Sequence, residues 1–262
     1  MIDWTWTRTT VDPGGILDAM DTIKCGPIHY ARLTSKWLLS NIYLSWAQQA
    51  LAKADEFGFD AAVCYAKRAV CRQVDAFMVN NHLRRFLHSA GYPQKVEALA
   101  KVGLHSPTII HDIIIDPRND IEHEYQAATE PLARKAVELA RLFLDATIEE
   151  AGRDTVIGFG WMIGRSYNAM DTPTEKWERV EYSISKAHSP MLFIDVTNPS
   201  NHQAIVLRPK AQELLICPMQ QFSLNQAIEL ARRLRTQFEA AGQNWTRHEG
   251  HWLVKLRQDL DL

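Results

Sequence analysis

An arginine, a histidine and a tyrosine fall within eight positions of one another, as Arg118, His123 and Tyr125. Arginine stays charged and presents a planar fork that matches phosphate oxygens, and histidine exchanges protons near neutral pH. Together these two groups suit attack of a hydroxyl on a phosphodiester. The imidazole moves a proton as general acid or base, and the guanidinium stabilises the charge that develops at the phosphate. Asn119 follows Arg118 and offers an amide to orient the phosphate or the imidazole. The same residues also permit a duller arrangement, in which Arg118 pairs with Glu122 one turn on and His123 lies in a polar groove.

Whether this chemistry is available depends on what positions the side chains. Asp116 has the character of an N-cap and Pro117 that of a first helical residue, so a helix is expected to start there. Positions seven apart return to nearly the same face, which aligns Arg118 with Tyr125. His123 stands five positions from Arg118, roughly 140° around a regular helix. Three routes bring them together: the long arginine sweeping round, an irregular helix start, or a two-fold dimer in which two copies of the cluster face each other.

Read as a motif, Arg118-Asn119-Asp120-Ile121-Glu122-His123 resembles the R-x(4–6)-H signature of HEPN domains. With Tyr125 it takes the R-x4-H-x-Y form of HEPN toxins paired with a nucleotidyltransferase antitoxin. The resemblance covers about residues 27–152. It implies an up-and-down helical bundle that dimerises, with the motifs of two protomers forming one cleft. In active members that cleft is an endoribonuclease that needs no metal or other cofactor and leaves a 2′,3′-cyclic phosphate and a 5′-hydroxyl. In the paired toxins the tyrosine receives AMP from the antitoxin, which implies an exposed Tyr125 hydroxyl beside the site. A half-buried Tyr125 with its hydroxyl in water is the other reading.

The surrounding pattern supplies the helices. Residues 28–54 carry apolar residues at three- and four-residue intervals (Leu33, Trp37, Leu38, Ile42, Leu44, Ala47), and Gly58 separates them from the next helix. Asp60 is expected to cap that second helix, which runs to about Ala90 on a stripe of Val63, Val70, Val74, Phe77 and Met78. Lys67, Arg68, Arg72, Arg84 and Arg85 lie on it, either as a solvated face or, for Arg84 and Arg85, as RNA phosphate contacts. Residues 93–102 form a short helix, and 108–115 form a helical or extended piece. A last bundle helix opens at Thr129-Glu130-Pro131, with Leu132, Ala136, Leu139, Phe143 and Ala146 inward.

Beyond Gly152 the period changes. Residues 155–164, 177–185, 191–197, 203–208 and 213–217 read as strands, and a helix at 223–241 is opened by a Ser223/Gln226 capping box. Residues 252–256 suit a final strand. The expected organisation is therefore an N-terminal arm (1–26), a HEPN-like bundle (27–152) and a smaller antiparallel-sheet α+β domain with one covering helix (153–262).

Composition narrows the function classes. The net charge is −2 and neither half is basic, so charge alone does not grip a long nucleic acid. No apolar run reaches the roughly 18 residues that span a bilayer, and the N-terminus lacks a basic segment followed by an apolar block. Four scattered cysteines (Cys25, Cys64, Cys71, Cys217) suit reduced thiols in a cytoplasmic protein. The spacing of His105, His111 and His123 matches no metal pattern, His248 and His251 suit a surface role, and Asp195 suits a strand end. The expected function is a metal-independent endoribonuclease, a toxin or defence component, acting on RNA as a homodimer. The alternative is a non-catalytic HEPN module that binds nucleotide or protein, with the C-terminal domain as adaptor.

Overall fold

A computed structural model describes residues 7–21, 23, 28–31, 38–147, 156–160, 191–195, 203–208, 211–241 and 245–248. In chain order the elements are β1 (Thr7–Thr10), α1 (Pro13–Asp21), β2 (Ile28–Ala31), α2 (Leu38–Leu51), α3 (Glu56–Asn80), α4 (Arg84–Leu87), α5 (Tyr92–Lys101), a π-helical turn (His111–Ile115), α6 (Asp116–His123), α7 (Glu130–Ala146), β3 (Val156–Gly160), β4 (Met191–Asp195), β5 (Gln203–Arg208), β6 (Glu213–Pro218), α8 (Leu224–Ala241) and β7 (Trp245–His248). They form two compact units. One is the contiguous stretch Thr34–Arg153; the other joins Met1–Leu33 to Asp154–Leu262.

The helical unit is built on α3. Its expected stripe of Val63, Val70, Val74, Phe77 and Met78 is buried, together with Ala62, Ala66 and Ala69. The short link at residues 52–55 turns the chain back, so α2 packs along α3 and α7 packs on both. The buried face of α7 is Ala133, Ala136, Val137, Ala140, Phe143 and Leu144. It is rotated from the expected one: Leu132 and Leu139 are half-buried and Ala146 is exposed. Across the α3–α7 contact the Phe77 and Phe143 rings meet edge to face, 6.3 Å between centres.

Several expected boundaries move. Asp55, not Asp60, caps α3, its carboxylate accepting the Gly58 N–H at 2.6 Å. Gly58 lies inside α3 because the helix start passes close to α2: a Cβ there would sit 2.6 Å from the Ala50 carbonyl. Asp60, within the helix, accepts the Ala128 N–H at 2.6 Å and ties the stretch after α6 to α3. The helix stops at Asn80, not near Ala90. The Asn81 side chain donates to the Phe77 carbonyl, His82 turns left-handed and the Leu83 N–H closes on the Met78 carbonyl at 2.8 Å. Arg84 and Arg85 therefore belong to the separate short α4.

The second unit is a seven-stranded sheet in the order β1-β6-β5-β4-β3-β2-β7. The expected all-antiparallel sheet is corrected to a mixed one: β1 runs parallel to β6, β2 runs parallel to β7, and the other pairings are antiparallel. Both parallel pairings join segments remote in sequence, which no hairpin signal announces. They also bring residues expected as an arm, and the start of the expected first bundle helix, into the sheet. Ala204, Ile205, Val206 and Leu207 are all buried, as are Ile16, Ala19 and Met20 of α1. Helix α1, where a short helix at 16–23 was expected within the arm, packs against β5, β6 and α8 and so belongs to the sheet unit. Arg233 of α8 donates to the Leu17 carbonyl and to Asp21 at 2.7 Å each. The Ser223/Gln226 capping box is formed. Expected strands at 177–185 and 252–256 lie outside the described residues, as do Trp4, Trp6 and His251.

Candidate active site at the end of α6

The sequence places a proline one residue into α6, and the chain does not start afresh there. Asp116 is itself helical (φ −64°, ψ −51°), so it is not the expected N-cap. A π turn runs straight into α6, with the Asp116 N–H bonded to the His111 carbonyl. Proline in a helix lacks an N–H and crowds the carbonyl four residues back, and a widened turn relieves both. The Asp116 carboxylate, released from capping, lies 3.1 Å from His111 Nδ1.

From this turn α6 carries the motif. The Arg118 guanidinium pairs with Glu122 and donates to Asn119 Oδ1 at 3.1 Å. The duller arrangement foreseen for Arg118 and Glu122 is thus formed, and Asn119 orients the guanidinium itself. The Arg118 side chain is 21% exposed, with three of its five N–H donors beyond those two contacts. Helix α6 packs on α3, where Arg118 and then Arg68 and Lys67 oppose the rise that burial imposes on the Cys64 thiol. The Cys64 and Cys71 thiols are both pushed up, chiefly by burial.

His123 lies in the last turn of α6, exposed, and its ring has no hydrogen-bond or ion-pair partner among the described residues. The helix closes immediately after it. The Glu124 and Gln126 N–H groups both return to the Asp120 carbonyl, and Tyr125 between them adopts φ 55°. A left-handed residue just past a helix end is usually glycine, because a Cβ there is strained. Here a tyrosine takes the position, and it is 92% exposed.

Of the residues expected in the site, Arg118 and Asn119 touch, while His123 and Tyr125 share the exposed end of the same helix. Arg84 and Arg85 are exposed on the separate α4, beyond the end of α3. Arg85 lies over the Phe86 ring, 5.0 Å from its centre. Spacing alone also failed to reveal the grouping of His111, Asp112 and Asp116, whose donor atoms all lie within 4.8 Å of one another. A His-Asp pair four residues ahead of an Asp-Pro was its only signal.

No protein-family model, curated protein or solved structure matches the chain. No helix among the described residues is long and apolar enough to cross a membrane.

Proposed function

We propose that the protein is a metal-independent endoribonuclease of HEPN type. His123 acts as general acid or base and Arg118 clamps the scissile phosphate. The observation that carries this reading is the exposed end of α6, where an imidazole without a partner among the described residues stands beside a tyrosine held in a strained conformation. Strain of this kind costs about 1–2 kcal/mol and persists where the surroundings enforce it. The RNA 2′-oxygen attacks the adjacent phosphorus, an imidazole removes the 2′ proton, and the 5′-oxygen leaves with a proton from an imidazole. A 2′,3′-cyclic phosphate and a 5′-hydroxyl result. Arg118 and Asn119 meet the equatorial oxygens. Because His123 and Arg118 stand roughly 140° apart on one helix, the pocket is completed by a second copy across a two-fold axis. Tyr125, at the mouth, is the residue a nucleotidyltransferase antitoxin would modify.

The Arg118–Glu122 pair favours a second reading, a HEPN module that binds nucleotide or protein without cleaving it, since the carboxylate offsets the charge the transition state needs. One assay separates the two. RNA is incubated with the protein in excess chelator, beside His123→Ala and Arg118→Ala whose helical circular dichroism matches the parent. Chelator-resistant cleavage that falls by at least about 100-fold in both variants supports the nuclease. RNA left intact by the folded parent protein supports the binding module.

A further inference from the structure

We propose that His111, Asp112 and Asp116 bind one divalent transition-metal ion. The proposal does not rest on the nuclease reading, which assigns the ion no part in cleavage.

The backbone brings the donors together. In a regular α-helix residues five apart diverge by roughly 140°, so a histidine at 111 and an aspartate at 116 would face different ways. The π turn forced ahead of Pro117 closes its hydrogen bond from Asp116 to His111, five residues back. That wider turn stacks the two residues, and the imidazole Nδ1 comes within 3.1 Å of a carboxylate oxygen. Asp112 brings the third donor, and all three donor atoms lie within 4.8 Å of one another. Ligands at about 2.1 Å from a common ion stand about 3.0–3.4 Å apart. The His111–Asp116 distance is already in that range, and the donor left to close in is the exposed Asp112.

The donor chemistry selects the ion. One imidazole and two carboxylates suit Zn²⁺, Mn²⁺ or Co²⁺ better than Mg²⁺, which prefers an all-oxygen shell. Two carboxylates carry a charge that one divalent ion cancels. Among the described residues no lysine or arginine pairs with Asp112 or Asp116, and the one basic side chain beside them is His111, itself a donor in the proposed set. Water completes the shell on the exposed side. Because the ligands span the π turn, a bound ion would pin the irregular backbone from which Pro117 and Arg118 emerge.

A plain His111–Asp116 ion pair is the competing account, and it leaves Asp112 idle. Titration calorimetry of the full chain with Zn²⁺, Mn²⁺ and Mg²⁺ decides between them. The expected result is one Zn²⁺ or Mn²⁺ per chain, tighter than Mg²⁺. Affinity should fall by at least about tenfold in His111→Ala and in Asp116→Asn, fall in Asp112→Asn, and stay unchanged in His105→Ala. Absence of stoichiometric binding, or binding retained in both His111→Ala and Asp116→Asn, overturns the proposal. Should a variant not fold, Mn²⁺ broadening of NMR signals in the unsubstituted protein separates the same two accounts. Selective loss of the residue 111, 112 and 116 signals supports the site, and broadening centred elsewhere refutes it.

Discussion

At Tyr125 local preference and placement disagree. A bare helix end asks for glycine, and the chain supplies a large aromatic ring that almost nothing covers. Tyr125→Gly is therefore expected to raise stability by about 1 kcal/mol in urea unfolding. The same variant should lose any reaction that uses the phenol. A stability loss instead would mean that the ring makes contacts outweighing the strain. At this scale the sequence was largely legible. The helical phase of Arg118 and Glu122 follows from spacing, and so does the pair between them; the expected alignment of Tyr125 with Arg118 does not hold, because α6 ends at His123 and Tyr125 turns left-handed beyond it. What spacing could not supply was the left-handed turn, because nothing in the residues 124–126 departs from ordinary helix formers strongly enough to demand it.

Among the elements, α8 shows the clearest electrostatic consequence. Glu229 accepts from Arg232 and Arg233, and these hydrogen bonds hold its carboxyl down at about 2 against an ordinary 4.5. A carboxylate lowered on folding adds stability at pH values above 4.5, and that contribution is lost as pH falls through about 2. The melting temperature should thus decline more steeply from pH 4.5 downward in the parent protein than in Glu229→Gln, with the two curves converging at the acid end. Parallel curves would show that the bonds add nothing in solution. The capping box that opens α8 was readable because both partners are local. The limits of α3 were not. Asp55 and Asp60 are both plausible caps by type, and only the backbone passing beside Gly58 and the distant Ala128 N–H assign their roles. The π turn was hidden for a related reason: Pro117 signals a helix start as readily as a helix that widens to admit it.

For the molecule as a whole, the helical unit is continuous in sequence and the sheet unit is not. Residues 34–153 alone are expected to unfold cooperatively with strong helical circular dichroism, since α3 and the elements around it bury their apolar faces on one another. Removing residues 1–33 should instead collapse the sheet unit. It takes β2 from between β3 and β7 and strips β1 from β6. A truncated chain whose sheet unit melts as in the parent would contradict this. The change of period after Gly152 made two regions legible. The recruitment of the first 33 residues was not, because strand partners far apart in sequence leave no local signature.

That discontinuity sets an order of events on the ribosome. Thr9 and its partner Glu213 are 204 residues apart, and at about 5–20 residues per second the second follows the first by roughly 10–40 s. The helical segment emerges complete within that interval, while Thr7–Thr10 still lacks the β6 strand it pairs with, which leaves its edge groups open to another nascent chain. Slowing translation should lengthen this exposure and raise the aggregated fraction, and a trigger-factor-like holdase should lower it.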